Sequence, residues 1–241
     1  MSLILHGYFG VRITMSFKIR FIFLIMSSSL FAASVKNEVS HFFPELKIYK
    51  KATGDLNGDG IADQVVILWN GNGIIDDPAN DLWNPDALKA LLLIYFNDKK
   101  GSLHLQTTAP KATCVGCGGP KAIMGKPLGE LSIKKGVLLI TYKGGSREYW
   151  TDVFKWRWDK KQKEFLLIGE TFSSKDTVGE DPAEYIDINY STQKATKLTG
   201  KKREICRISS QSKENTLSSF DFWDGPIGDR AQMLKQCRPD R

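Results

Sequence analysis

The run Glu130-Leu131-Ser132-Ile133, Lys134-Lys135-Gly136, Val137-Leu138-Leu139-Ile140-Thr141-Tyr142 decides the fold class. Two short apolar-rich runs flank three polar residues ending in glycine, the pattern of two strands joined by a tight turn. The pattern recurs downstream. After the break Lys143-Gly144-Gly145-Ser146, residues 149–158 lead through Asp159-Lys160-Lys161-Gln162-Lys163 into residues 164–172. Residues 185–190 then turn at Ser191-Thr192-Gln193-Lys194 into residues 195–198. Three successive hairpins with polar turns predict an antiparallel sheet rather than a parallel one.

Upstream, Leu91-Leu92-Leu93-Ile94-Tyr95-Phe96 ends at Asn97-Asp98-Lys99-Lys100-Gly101 and is followed by the alternating Leu103-His104-Leu105-Gln106-Thr107. A proline at 85 would suit a helix start, but the turn and the alternation favour a hairpin over residues 91–108. Gln64-Val65-Val66-Ile67-Leu68-Trp69 is a β-branched run that reads as a strand buried on both faces. Pro44 interrupts the apolar residues of 35–51, so a short helical turn followed by an extended lead-in is expected there. Residues 70–86 and 110–129 read as long loops. The first carries Asp76, Asp77, Asp81 and Asp86, read as a solvated cluster. The fold expected is therefore mainly β: an antiparallel meander or sandwich-like sheet with long loops and a short helix near each end, the second over residues 229–237. From Lys201 the chain reads as a polar, irregular extension with an acidic-aromatic patch, Phe220-Asp221-Phe222-Trp223-Asp224.

Along residues 154–158, Phe154, Trp156 and Trp158 alternate with Lys155 and Arg157, which puts three aromatics on one face. Exposed, such a face could stack on sugars or nucleobases. Phe165, Leu166, Leu167 and Ile168 supply apolar side chains to both faces of the partner strand, so the aromatic face is read as core.

The chemistry concentrates just before the buried strand, in Gly54-Asp55-Leu56-Asn57-Gly58-Asp59-Gly60-Ile61-Ala62-Asp63. Oxygen-bearing side chains occupy loop positions 1, 3, 5 and 9 (Asp55, Asn57, Asp59, Asp63), glycine stands at 6, and Ile61 can offer its carbonyl at 7. Calcium takes hard oxygen ligands in this arrangement. An EF-hand would place a bidentate glutamate at position 12, where this chain has Val66. The alternative is an Asx-rich turn that satisfies itself by hydrogen bonds without a metal.

The loop resembles the calcium loops of FG-GAP or integrin-type repeats. The wider chain, over residues 43–199, resembles bacterial exported proteins of uncharacterised activity that carry one such loop, through Cys114-Val115-Gly116-Cys117-Gly118-Gly119, Leu131-Ser132-Ile133-Lys134-Lys135-Gly136-Val137-Leu138, Phe165-Leu166-Leu167-Ile168-Gly169 and Asp187-Ile188-Asn189-Tyr190. The resemblance implies an extracytoplasmic β-rich fold and calcium ligation by Asp55, Asn57, Asp59, Ile61 and Asp63. It implies no activity.

Met15-Ser16-Phe17-Lys18-Ile19-Arg20 followed by Phe21-Ile22-Phe23-Leu24-Ile25-Met26 and small residues to Ser34 reads as a signal peptide, with translation starting at Met15 and cleavage near Ala33 or Ser34. The apolar core is short for a membrane anchor and three serines interrupt it. A periplasmic or secreted protein with no membrane span after cleavage is expected, organised as a leader (1–34), a β-rich domain (35–200) and a C-terminal extension (201–241). Removing Arg12, Lys18 and Arg20 with the leader lowers the net charge from +7 to +4. That excess is too small to imply nucleic acid.

All four cysteines, Cys114, Cys117, Cys206 and Cys237, lie beyond the leader, and an even number in an oxidising compartment favours disulfides. Three connectivities are open. A Cys206–Cys237 bridge would staple the tail. The glycine-rich setting of Cys114-x-x-Cys117 favours a structural bridge over a redox pair or half of a zinc site. No nucleophile elbow, zinc-protease helix, P-loop or dinucleotide fingerprint is present, and no catalytic residues are nominated. The expectation is a non-enzymatic binding or interaction protein with a protein or glycan partner in the cell envelope. The alternatives are a periplasmic inhibitor or immunity-type protein and a carboxylate-dependent glycan hydrolase.

Overall fold

The computed structural model describes residues 46–69, 90–113, 129–179, 183–208, 216–222 and 234–239. Among these residues the regular structure is entirely strand, in two antiparallel sheets. The smaller sheet has the order β1 (Lys47–Gly54), β2 (Asp63–Trp69), β3 (Ala90–Asn97), β4 (Leu103–Ala109). The larger is a continuous meander of β5 (Glu130–Lys134), β6 (Val137–Gly145), β7 (Glu148–Asp159), β8 (Glu164–Asp176), β9 (Glu184–Asn189), β10 (Lys194–Thr199), β11 (Lys202–Ile208) and β12 (Leu234–Pro239). The mainly β, antiparallel architecture expected from the hairpin pattern is thus what the chain adopts. The leader and the short helix expected before residue 46, the aspartates of 70–86 and the Cys114-x-x-Cys117 pair lie outside the described residues. No described helix is long and apolar enough to cross a membrane.

Turn chemistry sets the register. In the β5–β6 hairpin, Lys134 pairs with Val137 across a two-residue turn in which Lys135 and Gly136 both have positive φ, 50° and 73°. This primed turn matches the twist of the flanking strands, and glycine at its second position takes the left-handed conformation without strain. The β7–β8 turn is held by Asp159, whose carboxylate accepts from the amides of Lys161 and Gln162 at 2.8 and 2.9 Å. Asn189 does the same for Thr192 in the β9–β10 turn, at 3.0 Å.

The two sheets face each other across one core. Val65, Ile67, Leu92 and Ile94 of the small sheet meet Leu138, Ile140, Tyr142, Phe154, Trp156, Phe165 and Leu167 of the large one. Phe154 and Trp156 have no exposed surface, so the aromatic face of β7 is core, as its partner strand indicated. Residues 63–68 of β2 are buried without interruption because Val66 and Leu68, pointing away from this core, form a second cluster with Leu93 and Tyr95.

Two findings revise the reading of the tail. Leu217, Phe220 and Phe222, in a stretch expected to be irregular, are buried: Phe220 packs on Phe154 and Trp156, each at 5.1 Å between ring centroids, and Phe222 on Tyr142 at 4.6 Å. Leu217 N donates to Phe165 O at 2.9 Å, and Phe222 N to Lys111 O at 3.0 Å, which fixes this segment between the sheets. The helix expected over 229–237 is corrected in its described part. Leu234–Pro239 is strand β12, antiparallel to β11, because pairing with β11 satisfies its backbone and the Cys206–Cys237 disulfide joins the same two strands. Lys202–Ile208 is likewise strand rather than irregular chain.

The disulfide spans 31 residues. On the chain-entropy model a loop of that length stabilises by about 3–4 kcal/mol. Replacing both Cys206 and Cys237 by serine is expected to lower the unfolding free energy by about that much in urea titration. A loss under about 1 kcal/mol would show that the β11–β12 edge holds without its covalent tie.

Candidate functional site: the acidic loop and the depression beside it

The acidic loop connects β1 to β2, so its two ends are neighbours in one hairpin, with Gly54 paired to Asp63. Gly58 and Gly60 adopt positive φ, 77° and 81°, and let nine residues close over a short span. Asp55 accepts from Gly58 N at 2.7 Å and from Gly60 N at 2.8 Å, one to each carboxylate oxygen. Asn57 Oδ1 accepts from Asp59 N at 2.9 Å, Asn57 Nδ2 donates to Asp59 Oδ2 at 3.0 Å, and Asp59 Oδ1 accepts from Ile61 N at 2.8 Å. These contacts are all in exposed surroundings.

Asp63 stands apart. Its side chain is fully buried, and its carboxylate accepts three backbone amides: Leu56 N at 2.7 Å and Asn57 N at 3.4 Å on Oδ2, and Asn97 N at 3.0 Å on Oδ1. Asn97, at the end of β3, returns a bond from Nδ2 to Ala62 O at 3.3 Å. Burial pushes the Asp63 carboxyl above the ordinary carboxylate range, against the pull of the Leu56, Asn97 and Asn57 amides, and the charge of Asp59 adds to the rise. Asp63 therefore ties the loop, the head of β2 and the end of β3 together.

The structure brings Asp55, Asn57, Asp59, Ile61 and Asp63 into one loop, but it turns the Asp63 carboxylate toward backbone amides. Among the described residues no three His, Cys, Asp or Glu side chains converge as a metal-holding group. The donor set nonetheless suits a hard cation. A carboxylate has about four acceptor sites on two oxygens, so the single amide bond on each oxygen of Asp55 leaves capacity for an ion.

Two turns of the large sheet border the loop. Asp55 and Gly58 share a shallow recess with Ile133, Lys135 and Gly136 of the β5–β6 turn. On the other side, Asn57 and Asp59 line an open depression with Phe96, Gln106, Trp158, Lys160 and Lys163. Phe96 and Trp158 meet edge to face at 4.9 Å, and both also contact Phe165, which fixes their rings from below. Sequence reasoning missed this grouping. Trp158, on the same face of β7 as Phe154 and Trp156, packs against the core but is half-buried at the strand end, where the core gives way to solvent. His104 stands exposed on β4, 3.2 Å from Asp98.

Two carboxylates on adjacent strands, Asp152 and Glu170, are only 1% and 0% exposed. Tyr190 Oη donates to Glu170 Oε2 at 2.8 Å. The Tyr142 phenol is raised far above its ordinary value by burial and by the charge of Asp152, so it stays neutral and donates to Ala112 O. Both carboxylates are buried in the core.

The fold and site thus define a two-sheet antiparallel β protein with an Asx-rich loop beside an aromatic-floored depression. In comparisons with protein-family models, curated proteins and solved structures, nothing matches the chain.

Asp63→Ala would strand the two buried amides of Leu56 and Asn97, at about 1–3 kcal/mol for each unsatisfied group, and release the part-buried Asn57 amide. In the absence of added metal it is expected to destabilise by at least about 2 kcal/mol in urea unfolding. Asp59→Ala, losing exposed contacts only, is expected to change stability by less than about 1 kcal/mol. Equal effects would show that Asp63 is one ordinary member of the loop.

Proposed function

We propose that the protein is a non-enzymatic, exported binding module in which the acidic loop holds a structural calcium ion through Asp55, Asn57, Asp59, the Ile61 carbonyl and Asp63. The observation that carries the binding reading is the depression with Phe96 and Trp158 as its floor and Asn57, Asp59, Gln106, Lys160 and Lys163 around it. An aromatic surface ringed by amide, carboxylate and ammonium groups is the chemistry that recognises a sugar ring, whose C–H face packs on aromatics while its hydroxyls take hydrogen bonds. A glycan of the cell envelope is therefore the favoured partner. Asn57 and Asp59 belong to both the loop and the rim, so an ion in the loop fixes one wall of the binding face. The likeness to FG-GAP-type loops supports the ion, and the Cys206–Cys237 bridge supports export to an oxidising compartment.

Thermal unfolding with calcium and with chelator tests the ion. At about one hundred times its Kd, calcium is expected to add about 2.7 kcal/mol, roughly 5–10 °C in Tm for a chain of this size, and Asp59→Ala is expected to cancel the gain. An unchanged Tm contradicts calcium binding. Co-sedimentation with insoluble envelope glycan tests the ligand. Retention is expected for the native chain with calcium and is expected to fall about tenfold in Trp158→Ala, since loss of one stacking platform costs on the order of 1–2 kcal/mol. Retention that ignores Trp158 contradicts the assignment of the face.

A further inference from the structure

The far edge of the large sheet carries a second candidate site, independent of the calcium loop and the glycan depression. In the β10–β11 ladder Lys194 stands directly opposite Arg207, and in the β11–β12 ladder Ile205 stands opposite Arg238. Residues 205 and 207 lie on the side of β11 opposite the buried Cys206 and Ile208. Lys194, Arg207 and Arg238 therefore share the outward face, and with Ile205 and the Cys206 backbone strand they line one recess. All three cations are exposed.

Like charges directly opposite on an antiparallel pair are destabilising, and long side chains on neighbouring strands usually answer them with a carboxylate. The nearby strands do so. Lys155 reaches Asp187 at 2.7 Å, Lys197 reaches Glu184 at 2.8 Å, and Lys202 reaches Glu204 at 2.8 Å. Lys194, Arg207 and Arg238 form no ion pair among the described residues. Three cations converging on one recess, two of them guanidinium forks suited to bidentate oxyanion binding, suit a tetrahedral phosphate group better than a single carboxylate.

We propose that this recess binds a phosphate group, held by Arg207 and Arg238 with Lys194 completing the charge. The group is carried either by a free phosphate compound or by a phospholipid headgroup. Binding removes the Lys194–Arg207 repulsion, so occupancy also tightens the β10–β11–β12 edge.

The test uses the disulfide-bonded mature chain at low ionic strength. Calorimetric titration with inorganic phosphate is run beside sedimentation with phosphatidylcholine vesicles, with and without phosphatidylglycerol. Saturable binding in either arm is expected, weakened about tenfold in Arg207→Gln, the loss of one charge-assisted contact, and further in the Arg207→Gln/Arg238→Gln pair. Lys194→Gln is expected to act in the same direction, and Lys100→Gln, on the β3–β4 turn, to bind as the native chain does. Loss in the phosphatidylglycerol arm identifies a headgroup as the source. Loss confined to the inorganic phosphate arm identifies a free phosphate compound. Circular dichroism and Tm show whether each variant remains folded. No saturable binding in either arm, or folded variants that bind like the native chain, overturns the proposal.

Discussion

One carboxylate holds the most consequential position in the chain. Asp63 is removed from water at the head of a strand buried along its length, where an ionised group is tolerated only if its oxygens are satisfied. Three backbone amides satisfy them, and these come from the loop before β2 and from the end of β3. The arrangement couples a local turn to the sheet. The loop cannot shift without exposing or orphaning Asp63, and β3 cannot slip against β2 without breaking the Asn97 bond. The placing of Asn57 and Asp59 beside Phe96 follows from this constraint, since the loop and the end of β3 are elements that Asp63 joins, while Trp158 arrives from β7 and packs on Phe96 and Phe165.

The strands were legible wherever polar turn residues punctuate apolar runs. Residues 130–142, 149–172 and 185–198 each form the hairpin their alternation indicates, because turn type and side-chain period there agree with the tertiary structure. The double burial of β2 was legible too, in an unbroken run of apolar residues. What lay beyond the sequence was three-dimensional closure. Phe220 and Phe222 sit among polar residues, and nothing local says that Phe154, Trp156 and Tyr142 on distant strands leave room for their rings. Their one-residue spacing was the available signal. Strand β12 was illegible for a related reason. Leu234-Lys235-Gln236-Cys237 has no strong intrinsic preference, and pairing with β11 decides its conformation. The acidic loop was legible as a set of oxygens but not as a division of labour, since spacing alone does not separate the buried Asp63 from the solvent-facing Asp55 and Asp59.

The sandwich leaves its two candidate surfaces at separate places with different chemistry. At the β5–β8 end, hairpin turns bring lysines and half-buried aromatics against the acidic loop, a mixed surface suited to a polar ligand with an apolar face. At the β10–β12 end, Lys194, Arg207 and Arg238, without an ion pair among the described residues, line an outward recess that suits an oxyanion. The core lies between them, with Asp152 and Glu170 buried inside it.

The account rests on the Asp63 clamp, and native-state hydrogen exchange of the amides it accepts tests that claim most directly. If the clamp is integral to the sheets, the Leu56 and Asn97 amides exchange only on global unfolding, with the same free energy as amides in the middle of β2 and β6. Exchange of Leu56 and Asn97 as fast as the exposed loop amides Gly58 and Gly60, while β2 and β6 stay protected, would contradict it.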